Sequence, residues 1–211
     1  GGISSVMLQK IETSQKSSPA ERALANAFAS NNIDDLARNH AHQGALNTYF
    51  SDETPKQSIQ NQESSGRCWM FSGLNVLRGN FAKAHNDTLA VEFSHAYLFF
   101  YDQLEKANLM LQAVIDNAEL PMEDARVQFF FKNPINDGGT FCGVADLAEK
   151  YGLVPKSVQP ETYSSDNTKI MAKLVSRKLR EFGLELRKLV AERKSKTAVN
   201  DRKTEMLSTI Y

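Results

Sequence analysis

The sequence predicts a mainly helical fold with little β structure. Three observations carry this: apolar residues recur at three-to-four spacing in several long segments, alternating strand-like runs are sparse, and the prolines stand at the borders of those segments. Ser18-Pro19-Ala20-Glu21 is a capping box with proline at the first helical position, so a short helix runs from there to about Ser30. Asn31, Asn32, Asp34 and Asp35 interrupt it, and Ile33 to about Tyr49 has room for one more helical turn or two. From Ser51 to Gly66 the chain is polar and turn-rich, hence loop or short strand. Met70, Leu74, Leu77 and Phe81 then mark one face of a buried helix beginning close to Cys68. Ser94 is an N-cap for a second long helix, in which Phe100, Leu104, Ala107, Leu111 and Val114 keep the spacing over four turns. Pro134 closes the apolar stretch 127–131, and Asn136-Asp137-Gly138-Gly139 is the strongest turn signal in the chain. A third helix follows, with Val144, Leu147, Ala148 and Tyr151 on one face and Gly152 at its end. Pro155 and Pro160 keep the next residues extended. From about Thr168 to Arg193 a charged amphipathic helix carries Val175, Leu179, Phe182, Leu186 and Leu189.

Composition narrows the function classes. The 211 residues are 41% hydrophobic and 24% charged, the balance of an ordinary globular protein. Lys and Arg number 25 and Asp and Glu 25, so no global field draws the chain to nucleic acid or to an anionic membrane. The longest apolar run, Ala96 to Tyr101, is far short of the ~20 residues that cross a bilayer, and neither a membrane span nor a secretion signal is visible. Met7 is the first methionine, behind Gly1-Gly2, as at a trimmed or processed N-terminus. Two cysteines, Cys68 and Cys142, make no disulfide framework, which favours a reducing compartment, the cytoplasm.

The informative segment is NQESSGRCWMFSGLNVLR, residues 61–78. A cysteine stands where a glycine-containing loop enters a hydrophobic helix. The unpaired N–H groups and partial positive charge of a helix start favour thiolate over thiol, and the same amides can bind a developing oxyanion. Gln62, six positions upstream, is close enough in sequence to aim its side-chain amide at that oxyanion beside the Cys68 N–H. Gly66 removes a side chain where a substrate must approach.

These residues resemble the papain-like cysteine peptidases, and more closely the bleomycin hydrolase and aminopeptidase C branch. The glutamine, the loop, then Cys68-Trp69-Met70-Phe71-Ser72 follow the papain signature, and Leu74, Asn75, Val76 and Arg78 follow the bleomycin hydrolase form of it. Segments 92–106, 133–139 and 149–163 are similar to family segments in the same order. The resemblance implies an α+β papain-like fold, of which this chain holds mainly the helical lobe. It divides the chain into an N-terminal helical extension (1–54), the helical lobe with the nucleophile (55–163) and the start of a charged helical insertion (164–211). It implies a cysteine-type aminopeptidase acting on peptides, with Cys68 as nucleophile, Gln62 in the oxyanion hole, and Gly138, Gly139, Gly66 and Trp69 at the substrate cleft. Read from the residues alone, Gly138-Gly139 is equally a plain turn. No metal or organic cofactor is implied. Where secreted papain relatives have a disulfide, Ser65 and Asn136 stand here, in line with the cysteine count.

A thiolate peptidase also needs a histidine and a residue that orients it, which in papain-like chains follow the cysteine by about 130–150 residues. The histidines are His40, His42, His85 and His95, none beyond position 95, and Asn200 lacks the family's Asn-Ser-Trp setting. The chain therefore reads as an N-terminal portion whose catalytic base lies in a missing C-terminal portion. His95, next to an N-cap, reads as a helix-start residue, Trp69 and Phe71 as packing residues, and Cys142 as a small buried apolar residue.

The stretch 169–203 holds twelve Lys or Arg against four acids. Such a block is most often a solvated helix face. Two functional readings compete: subunit contact, as the family's hexameric rings imply, or a non-catalytic nucleic-acid-binding module using the basic helix. With no aromatic interleaved except Phe182 on the apolar stripe, assembly into a homo-oligomer ranks ahead.

Overall fold

The computed structural model describes residues 2–42, 44, 47, 49–53, 56–86 and 91–211. The chain forms two compact units, Gly1–Glu53 and Thr54–Tyr211. The first holds α1 (Ser5–Ser14), α2 (Pro19–Ser30), α3 (Ile33–Ala37) and a 3-10 turn at His40–His42. The capping box of α2 closes as the sequence predicts: Glu21 N donates to Ser18 Oγ at 3.2 Å and Ser18 N to Glu21 Oε2 at 2.6 Å. Helix α1 was not foreseen. Part of the expected turn before Tyr49, and Pro55, lie outside the described residues.

The second unit is helical: α4 (Cys68–Ala84), α5 (His95–Asp116), α6 (Ala125–Lys132), α7 (Phe141–Tyr151), α8 (Tyr163–Asp166), α9 (Thr168–Ala191) and α10 (Lys196–Ile210). Among the described residues the only strand pairing is two isolated bridges, Ser64 with Asn167 and Phe93 with Pro155. Helix α5 organises the unit. Its first half packs Leu98 and Phe99 with Trp69, Met70 and Leu74 of α4 and Val144 and Leu147 of α7. Its second half packs Ala107, Met110, Leu111 and Val114 with Leu179, Phe182 and Leu186 of α9 and Val199 and Met206 of α10. Serving two cores on different sides broadens its buried face beyond one stripe, so Leu98, Phe99 and Met110 are buried while the expected Phe100 and Leu104 are only partly covered. Ser94 caps α5 as expected, its Oγ accepting from Tyr97 N at 3.0 Å. Gly152 ends α7 at φ +74°, which an L side chain adopts at a cost.

Two expectations are corrected. Cys142 is exposed, because it lies two positions before Val144 and so off the apolar stripe of α7. The basic stretch is two helices, not one, broken where Ser195 caps α10 by accepting from Ala198 N. Several of its cations are also used inside the fold. Arg187 donates to the carbonyls of Asn117 and Leu120, Arg180 to those of Phe131 and Lys132, and Arg202 pairs with Glu185 at 2.7 Å. Arg187 and Arg180 thereby satisfy carbonyls at and just after the ends of α5 and α6.

Candidate active site

Cys68 is the first residue of α4 and is exposed, while Arg67 before it and Trp69 after it are buried, at 0% and 9% exposure. This alternation follows from the start of a helix against a core. Trp69, Met70 and Leu74 face inward, and the residue one step off that face meets solvent. The N-terminus of α4 has no side-chain cap, so its first amides are left for water or a ligand.

The loop before Cys68 is held by its own hydrogen bonds. Gln62 Nε2 donates to Ser65 O at 2.5 Å, and Ser65 Oγ returns a bond to Gln62 O at 2.6 Å. Gln62 is half-buried, with one amide proton used in this closure. Arg67 Nε donates to Ser65 Oγ at 2.8 Å, and its guanidinium pairs with Glu161 Oε2 at 2.8 Å and Asp166 at 3.5 Å. The same group stands over the rings of Phe71 and Phe99, 5.1 and 5.3 Å from their centroids.

Asp137 ties this loop to the glycine turn. Its Oδ2 accepts from Gly66 N and from Thr168 Oγ1, each at 2.7 Å, and its carbonyl accepts from Trp69 Nε1 at 2.8 Å. Burial pushes the carboxyl up, but the Thr168 hydroxyl and the Gly66 N–H outweigh that and hold it below the usual aspartate range. A Cβ at Gly66 would lie 2.4 Å from Asp137 Oδ1, so this carboxylate occupies the space that the sequence reserves for substrate. A Cβ at Gly139 would lie 2.5 Å from Trp69 Cε2: the second glycine lets the indole lie flat against the turn. Gly138 and Gly139 are exposed. The Gly138 carbonyl accepts from Lys106 Nζ at 2.7 Å, which also donates to Asn136 O and to Asp102. Burial raises the carboxyl of Asp102 against the pull of Lys106.

The structure thus links Gln62, Gly66, Trp69, Gly138 and Gly139 around the start of α4. Asp137, Lys106, Arg67 and Glu161 were missed as site residues. Asp137 was legible only as part of a turn, since its partners lie 71 and 31 positions away. His95, at the start of α5, is 3% exposed and stacks on Phe71 with centroids 3.7 Å apart. Its burial lowers its pKa to about 4 despite the pull of Glu161. Among the described residues no cluster of His, Cys, Asp or Glu could hold a metal ion, and no helix is long and apolar enough to cross a membrane.

Residues 2–211 match the Peptidase C1-like family. The chain is 40% identical to an aminopeptidase C of Lactobacillus delbrueckii subsp. lactis over 92% of its own length and 43% of that protein. It is 34% identical to human bleomycin hydrolase over 100% of its length and 47% of the relative. The crystal structure of PepW from Lactobacillus rhamnosis superposes on the whole chain with a TM-score of 0.89 at 37% identity, and 47% of that protein is covered. The chain spans about half the length of the relatives it matches.

Proposed function

Because this chain belongs to the Peptidase C1-like family, we propose that it is the nucleophile-bearing portion of a cysteine aminopeptidase that removes N-terminal residues from peptides. The observation that carries this reading is an exposed cysteine at the uncapped start of a helix whose inner face is buried, between two buried residues. In the proposed reaction the Cys68 thiolate attacks the first peptide carbonyl and forms a carbon–sulfur bond. The Cys68 N–H and the second Gln62 amide proton hold the resulting oxyanion. Collapse breaks the carbon–nitrogen bond, an imidazolium from a portion beyond residue 211 protonates the leaving amine, and water then releases the acyl group as a carboxylic acid. The names of the relatives, aminopeptidase C and bleomycin hydrolase, support the substrate class.

In this reading the backbone of Gly139, which has no hydrogen-bond partner among the described residues, pairs with an extended peptide as an added strand does. Trp69 walls the cleft behind it. The stretch 164–211 is the start of an insertion, assembly into a homo-oligomer is part of the proposal, and two unpaired cysteines support a cytoplasmic setting. The test is Cys68→Ala in the complete protein, with release of an aminoacyl-amide leaving group as the assay. Loss of turnover is expected, and unchanged turnover refutes the proposal.

A further inference from the structure

An arginine without solvent exposure, one residue before an exposed cysteine, needs a reason. Removing a guanidinium from water costs several kcal/mol unless its donors are matched, and an apolar side chain would fill the same space more cheaply. Arg67 stands over two phenylalanine rings; its Nη2 has only the 3.5 Å ion pair with Asp166, whereas its Nη1 and Nε hydrogen bonds belong to an ordered series. The series begins at α8. Thr162 N donates to Ser165 Oγ at 2.8 Å, and Ser165 Oγ donates to Glu161 Oε2 at 2.6 Å, which fixes the carboxylate. Glu161 Oε2 accepts from Arg67 Nη1, and Arg67 Nε donates to Ser65 Oγ. The single hydroxyl proton of Ser65 is thereby directed at Gln62 O, while Ser65 O takes one amide proton of Gln62. Every link is at hydrogen-bond distance, and the series ends at the main-chain carbonyl of Gln62, whose side-chain amide closes the same turn on the Ser65 carbonyl.

We infer that Glu161, Arg67 and Ser65 are positioning residues for the oxyanion glutamine, acting through the hydrogen-bond series Glu161–Arg67–Ser65–Gln62. The inference rests on the aminopeptidase reading above and deepens it. With Ser65 O and Ser65 Oγ fixed, the Gln62 amide has one orientation, and its second proton is left to point at an acceptor outside the loop. Without Ser65 Oγ the main-chain carbonyl of Gln62 loses its donor, the loop 62–66 gains alternative closures, and the second amide proton is misdirected in most of them. The ground-state carbonyl of a substrate needs that proton little and the oxyanion needs it strongly, so the effect falls on turnover rather than on binding.

The test compares Ser65→Ala, Glu161→Gln, Gln62→Ala and the Gln62→Ala/Ser65→Ala double variant in the complete protein. Three readouts separate positioning from general loosening: kcat and KM on an aminoacyl-p-nitroanilide, inhibition by an aminoacyl aldehyde whose adduct carries the oxyanion, and alkylation of Cys68 by iodoacetamide, which needs no oxyanion donor. Loss of one such donor costs about 100- to 1,000-fold in kcat. Misdirection by Ser65→Ala or Glu161→Gln is expected to cost about 10- to 100-fold, with KM within twofold. Aldehyde affinity should weaken by the same factor and the alkylation rate hold within twofold. The double variant should be no worse than Gln62→Ala, because both act through one group. Ser65→Ala removes one atom, and Arg67→Lys, which keeps the charge but not the fork, supplies a second variant if Glu161→Gln does not fold. Unchanged kcat in Ser65→Ala, an additive double variant, or alkylation falling in step with turnover each overturns the inference. Full turnover by Cys68→Ala overturns the aminopeptidase reading itself, a result distinct from these.

Discussion

The buried imidazole of His95 makes the stability of the chain depend on pH in a window set by its surroundings. The ring has Phe71 stacked on it, Glu161 Oε1 4.0 Å from Nδ1, and the charges of Arg67, Lys156 and Glu92 acting on it. Burial dominates and holds its pKa at about 4, against 6.5 for an exposed histidine. Between those values the unfolded chain binds a proton that the folded chain does not, so stability is highest above pH 6.5 and falls as the pH drops towards 4. From pH 7 to pH 5 this one group accounts for about 2 kcal/mol, or about 4–8 °C in Tm for a chain of this size. His95→Phe keeps an aromatic ring against Phe71 and removes the titration. Thermal melts of both proteins at pH 7 and pH 5 check the reasoning, since the other three histidines and all carboxylates are common to both and cancel. The parent should lose about 4–8 °C more than the variant over that interval. Parallel losses would mean that His95 is protonated as readily in the fold as outside it, and would refute the assignment.

Other outcomes follow from the same geometry. Gly139→Ala drives a methyl into the Trp69 indole, and overpacking of this kind costs about 1–3 kcal/mol; the emission of the single tryptophan should shift with the melting point. Asp137→Asn removes the charge that Gly66 N and Thr168 Oγ1 hydrogen-bond, a loss of about 1–3 kcal/mol in chemical denaturation. Because the aspartate carboxyl is held below its usual range, the gap between Asp137→Asn and its parent should narrow as the pH falls through that range. Leu111→Ala, at a fully buried position in the α5–α9 core, should cost about 2–5 kcal/mol in the same assay.

Much of the helical structure was legible because local signals decide it. The capping box at Ser18, the N-cap at Ser94, the apolar stripe of α7 ending at Gly152 and that of α9 all lie where the sequence puts them. The papain-like fold, recognised from ordered motifs, agrees with the family match and the superposition on PepW. Two kinds of information were not legible. The first is the second face of α5: a helix between two cores loses the amphipathic contrast that marks a surface helix. The second is the support of the site. Asp137 acts on residues 66 and 168, and Glu161 acts on residue 67 across 94 positions, a pairing that no local pattern contains. Cys142 misled because a cysteine beside an apolar stripe reads as part of it, although two positions along a helix is more than half a turn.

Loops are ordinarily where a fold accepts insertion and deletion. The segment 62–67 is an exception because nearly every residue in it is tied at a fixed spacing. Gln62 and Ser65 close a turn on each other, Gly66 N reaches Asp137 and Arg67 Nε reaches Ser65 Oγ. Adding or removing one residue between Gln62 and Arg67 breaks at least one of these bonds and leaves the buried Arg67 guanidinium without a partner that it cannot replace from water. The length of this loop is therefore as constrained as its composition. Natural variation and laboratory libraries built on this chain should be able to change the side chains at Asn61, Glu63 and Ser64, which are exposed, while keeping the number of residues between Gln62 and Cys68 constant.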